Sequence, residues 1–146
     1  VTSVEIASGL VKHFEGLYLK PYLCPAGIPT IGYGSTRYED GKKVTLRDTS
    51  ITKDIAEKLL YIEIHKCISK SVKYCPVLIK YPERLGAIAD FVYNLGAGRL
   101  QTSTLRRRIN QQDWLEVKKE LMRWVRGGGR ILPGLVLRRQ AEARLI

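Results

Sequence analysis

Between His13 and Ser35 the chain reads HFEGLYLKPYLCPAGIPTIGYGS, and this stretch limits the fold more than any other. Glycines at 27, 32 and 34 and prolines at 21, 25 and 29 forbid a long helix. They favour a short twisted hairpin whose backbone can approach a ligand closely. A lone carboxylate, Glu15, ends the apolar-periodic segment just before that hairpin. The spacing predicts a helix that stops there and presents an acid to a glycine-rich turn, which reads as a cleft.

Cys24 follows Glu15 after nine positions and Thr30 follows Cys24 after six. A glutamate placed against an apolar wall of Phe14, Leu17 and Tyr18 would resist ionising, as a general acid must near neutral pH. It could then protonate a glycosidic oxygen. Thr30 offers a hydroxyl that could hold a water against the opposite face of a sugar ring, the geometry of an inverting glycosidase. Cys24 is the difficult member, because a thiol near a carboxylate is expected to have its thiolate disfavoured.

The stretch resembles the phage lysozymes, the muramidase endolysins of the bacteriophage T4 lysozyme-like superfamily, in a lambdoid-type branch. Their pattern is a glutamate, eight residues, aspartate or cysteine, five residues, then threonine, which Glu15, Cys24 and Thr30 match. The resemblance continues through IPTIGYG (28–34), FVYNLGAG (91–98), STL (103–105) and GGRILPGLVLRRQAE (128–142). It implies a two-lobed fold with a small antiparallel β lobe at about 15–50. A larger helical lobe takes in about 75–146 and the N-terminal helix, and a long helix joins the two. It implies cleavage of the β-1,4 bond between N-acetylmuramic acid and N-acetylglucosamine in bacterial peptidoglycan, with Glu15, Cys24 and Thr30 catalytic and no cofactor. It also puts Tyr33, Tyr93 and Asn94 beside the sugars.

Read in order, Thr2 with Glu5 forms a capping-box pattern that opens the first helix. Short alternating runs from Leu17 to Val44 suggest two or three small antiparallel strands. Thr52 caps a long amphipathic pattern, with Ile55, Leu59, Ile62 and Cys67 on one face, reaching about residue 74. Pro82 suits a helix start, and Leu85, Ile88, Ala89 and Val92 make an apolar stripe through to Asn94. A short basic helix capped by Thr102 or Ser103 runs to Asn110. Another opens at Asp113 and carries Leu121, Trp124 and Val125 up to the stop at Gly127 to Gly129, and a last helix starts near Gly134. The fold class is α+β, mostly helical, in one domain spanning 1–146.

Formal charge is +11, and it is uneven: 13 basic and 10 acidic side chains up to residue 98, then 12 and 4. Such a field favours polyanions, and the basic C-terminal helices are expected to meet anionic envelope surfaces. Nucleic acid is not the expected partner, and the chain is expected to be a monomer. No basic flank with a long apolar core opens the sequence. The expectation is a host-cytoplasmic protein that reaches the wall after release without a signal.

Cys67 and Cys75 flank a helix end, so a chain reversing there could bridge them; two reduced thiols are the alternative. Two histidines, His13 and His65, with no paired Cys-x-x-Cys give no metal-ligand spacing. They also lack the orienting third group of a Cys-His hydrolase. Two rivals stay open: a lytic transglycosylase using Glu15 alone, and a non-enzymatic basic module binding nucleic acid or membrane.

Overall fold

The computed structural model describes all 146 residues. Helix α1 (Ser3–Glu15) begins where Thr2 accepts the Glu5 N–H at 3.1 Å and donates back to its carboxylate at 3.2 Å. The first bond is the cap that the spacing predicts; the second comes from the Thr2 hydroxyl in place of the backbone N–H that a full capping box uses. The helix ends at Gly16, whose φ of +74° suits a residue without a Cβ and whose N–H closes on the Lys12 carbonyl.

Strands β1 (Tyr18–Leu23) and β2 (Pro29–Gly32) then pair antiparallel, with Tyr18 opposite Gly32 and Tyr22 opposite Thr30. The register slips between Tyr18 and Tyr22, where Pro21 has no N–H to give the ladder. Bridges Ile31–Ser35 and Arg37–Lys43 extend the small lobe. Tyr38 closes it by donating to Asp48 at 2.7 Å.

Helix α2 (Lys53–Tyr74) starts on the Thr52 cap and serves both lobes. Its Leu59 packs with Ile31 and Val44 in a small cluster, while its Leu60 and Ile64 enter the main core. A 3-10 turn (Pro76–Lys80) leads into α3 (Pro82–Leu95), which is buried without interruption from Leu85 to Val92. At Gly86 a Cβ would meet Ile6 at 2.6 Å, so glycine is what lets α1 lie this close to α3.

The rest of the large lobe is α4 (Ala97–Gln101), α5 (Thr104–Asn110, capped by Ser103), α6 (Trp114–Leu121, capped by Asp113) and α7 (Pro133–Ala143). A hairpin of β3 (Arg126–Gly127) and β4 (Arg130–Ile131) separates α6 from α7.

The structure corrects two expectations. Helix α6 ends at Leu121, so Trp124 and Val125 lie outside it, and the glycine run that was read as a stop is the turn of that hairpin. The Cys67–Cys75 bridge does not form, and both thiols are free and buried. Helix α2 continues past Cys67 for two further turns, so no chain reversal occurs between them. Eight residues of helical rise, about 12 Å, exceed the roughly 7 Å a disulfide tolerates. Burial pushes each thiol up to about 12.

Candidate active site

Glu15 is the last residue of α1, and its side chain is 23 % exposed at the seam between the lobes. The expected apolar wall is absent, since Leu17 and Tyr18 are exposed. A guanidinium stands there instead. Arg138, 5 % exposed on α7, donates from Nη1 to Glu15 Oε2 at 2.6 Å, and its carbon lies 5.5 Å from the centre of the Phe14 ring. The same guanidinium donates from Nε and Nη2 to the two oxygens of Asp90 at 2.9 and 2.8 Å. Burial alone would lower the Arg138 pKa, but the Asp90 hydrogen bonds and charge, with Glu15, raise it above its ordinary value.

The other oxygen of Glu15 faces Gly34. A Cβ there would stand 2.8 Å from Oε1, and φ is +85°, so both space and backbone require glycine. On one side of Gly34 a cavity of about 360 Å³ opens between Ser35 and Thr36 of the small lobe, Glu63, Lys66 and Lys70 of α2, and Tyr93 and Gly96. A hollow of about 510 Å³ lies near the chain ends and touches none of the candidate residues.

Cys24 and Thr30 sit on the hairpin. The turn closes by Cys24 N–H to the Ile28 carbonyl at 3.0 Å and Gly27 N–H to the Cys24 carbonyl at 2.8 Å. Thr30, 2 % exposed, donates its hydroxyl to the Ile28 carbonyl at 2.8 Å. The Cys24 pKa is lowered, opposite to expectation: the Ile28 backbone hydrogen bond outweighs desolvation, and the backbone of Ala26 and Gly27 adds to it. A turn lined with N–H groups is a better host for a thiolate than a carboxylate's neighbourhood would be. The Tyr22 pKa, on the residue opposite Thr30 in the ladder, is raised by burial and then by the charges of Glu15, Tyr18 and Cys24.

The remaining candidates have structural partners. Tyr33 is 5 % exposed with its ring in the core, and its carbonyl accepts the Tyr93 hydroxyl at 2.6 Å. Tyr93 therefore ties α3 to the strand end while lining the cavity, and burial, then Glu15, pushes its pKa up. The Asn94 amide oxygen is taken by Arg139 at 2.8 Å. Arg139 is wholly buried beside Glu142, with Nη2 donating to Oε2 at 3.0 Å; Nε lies 2.9 Å from Oε1 but without hydrogen-bond alignment. Sequence reading missed Asp90, Arg138, Arg139 and Glu142 as parts of the site, although Asp90 is the only charge in the stripe LGAIADFV.

Comparison with known proteins finds relatives over nearly the whole chain. The family model described as phage lysozyme matches residues 12–142. An endolysin of Acyrthosiphon pisum secondary endosymbiont phage 1 is 36% identical over 143 residues, covering 93% of this chain and 91% of that protein. A SAR-endolysin of Bacteriophage PS119 is 37% identical over 146 residues, covering 96% and 84%. Among solved structures, the endolysin from Escherichia coli O157:H7 phage FAHEc1 superposes with a TM-score of 0.83 at 31% identity, covering 96% of this chain and 89% of that one. The family match over residues 12–142, with relatives 36% and 37% identical across nearly the whole chain, places the chain in the phage lysozyme family.

Proposed function

We propose that the chain is an endolysin that hydrolyses the β-1,4 bond between N-acetylmuramic acid and N-acetylglucosamine in bacterial peptidoglycan, opening the host wall for phage release. The observation that carries this reading is Glu15, fixed by Arg138 through one oxygen, set against Gly34 through the other, and still 23 % exposed at the seam between the lobes. Protonated on Oε1, it gives its proton to the leaving glycosidic oxygen. Arg138 then holds the carboxylate that remains.

Water attacks the anomeric carbon from the opposite face as the C–O bond breaks. Thr30 spends its hydrogen on the Ile28 carbonyl, which leaves its oxygen to accept a bond from that water. Cys24, its thiolate favoured by the turn N–H groups, takes the water's proton. Tyr93 and Asn94 act as supports that keep the groove wall in place, and Tyr33 contributes its carbonyl rather than its ring.

In the cavity wall Lys66 pairs with Glu63 at 3.5 Å, which leaves Lys70 as the cation facing a polymer rich in carboxylates. The basic C-terminal surface needs one revision. Arg138 and Arg139 are buried and neutralised in the interior and add nothing to the surface field, whereas on α5 Arg106, Arg107 and Arg108 bond only to carbonyls, a hydroxyl and an amide. Their charge stays available for an anionic envelope. No helix is long and apolar enough to cross a membrane.

Digestion of purified peptidoglycan with mass analysis of the products checks the reaction. Muropeptides with reducing ends are expected; anhydro ends would make the enzyme a transglycosylase, and an undigested wall would remove the activity altogether. Gly34→Ala should cut the rate by about 10- to 100-fold, because a displacement of the acid of about 1 Å costs on that order. Melting should change less, and a variant with wild-type rate would show that the space above Oε1 is not needed.

A further inference from the structure

We propose that Asp90 is a positioning residue for this reaction, gripping the Arg138 guanidinium so that Arg138 in turn orients Glu15. The inference rests on the muramidase reading above and adds to it a residue that touches neither sugar nor water. Arg138 has a rigid planar fork of donors. Asp90 occupies Nε and Nη2, which leaves Nη1 as the donor that meets Glu15 Oε2. With two bonds to a fully buried partner on α3, the guanidinium cannot pivot, and its third bond sets the plane of the glutamate.

The charges around this grip do not balance. Glu15 comes from α1 and Asp90 from α3, while Arg138, Arg139 and Glu142 come from α7; three carboxyl groups face two guanidiniums. From the α6 side only the Trp124 carbonyl reaches in, toward Arg139 at 3.4 Å. Tyr22 and Tyr93 are the other titratable side chains in the field of Glu15. Burial, and after it the neighbouring Asp90, raises the Glu142 pKa. Asp90 meets Arg138 through both of its oxygens.

A purely structural role is the poorer account. Buried ion networks add little stability over well-packed apolar side chains. This one instead ends on Glu15, whose side chain stays 23 % exposed at the seam between the lobes.

Asp90→Asn tests the grip. Removing the Asp90 charge leaves Arg138 acting on Glu15 alone, so the alkaline limb of the pH profile of kcat/KM should move to lower pH. At neutral pH kcat should fall about tenfold with KM held. Asp90→Glu should return the limb toward its wild-type position. A wild-type profile and kcat in Asp90→Asn would overturn the proposal, as would a loss carried by KM with the limb unmoved. If Asp90→Asn does not fold, Arg138→Lys is measured instead. An ammonium lacks the fork, so kcat should again fall with KM held, and a wild-type kcat would overturn the proposal. Peptidoglycan left intact by the unaltered protein is a separate result, which would count against the muramidase reading itself.

Discussion

Glu15→Gln is expected to leave a folded protein that no longer clears peptidoglycan, with kcat reduced by at least about 10²- to 10⁴-fold. Glutamine has the same shape, and its amide oxygen can still accept the Arg138 Nη1 hydrogen at the position now held by Oε2. What it lacks is a proton to give. Substrate binding should therefore persist, and KM should change far less than kcat, because the lost interaction exists only in the transition state. Turbidity clearing, paired with a thermal melt, reads both quantities. Clearing within tenfold of wild type would mean that the proton comes from elsewhere, and the mechanism built on this acid would go with it.

The parts of the fold that sequence made legible are those decided within a few residues. Thr2 and Glu5 cap α1, Thr52 caps α2, and Ser103 and Asp113 cap α5 and α6, because each cap is a bond between a side chain and an N–H three positions on. The break after Glu15 was legible for the same reason, since Gly16 and the Gly and Pro spacing that follows leave few backbones open. The hairpin of β3 and β4 was not, because two-residue strands are too short to show any alternation.

The inner site was hidden by distance. Arg138 meets Asp90 48 positions earlier and Glu15 123 positions earlier, and nothing local distinguishes a buried arginine from an exposed one. The basic C-terminal helices were expected to meet anionic surfaces, whereas Arg138, Arg139 and Glu142 on the last of them are buried. One signal was present all the same. A lone Asp90 among leucine, isoleucine, phenylalanine and valine on a core helix requires a cation from some other element, and α7 supplies it.

Arg138→Ala is the change with the largest expected effect on the folded state. It leaves Asp90 wholly buried with its charge unpaired, a defect that typically costs about 3–5 kcal/mol. For a chain of this size that corresponds to a fall in Tm of roughly 10 °C. The sign of the pH effect follows from the vacated carboxylate. Protonating Asp90 removes the unpaired charge, so the deficit against wild type should be largest near pH 7 and shrink as the pH falls toward about 4. Denaturant unfolding at several pH values measures it, and a constant deficit would mean that lost packing, not the charge, is responsible.

Arg138→Met combined with Asp90→Leu in the same chain then separates folding from chemistry. Replacing both partners with apolar side chains removes the buried charge, so most of the stability should come back. Activity should not, because Glu15 would keep its neighbours Gly34 and Phe14 while losing the donor that holds Oε2. Recovery of stability without recovery of rate would place the worth of this arginine in orienting an acid. Recovery of both would make it a packing element that happens to carry charge.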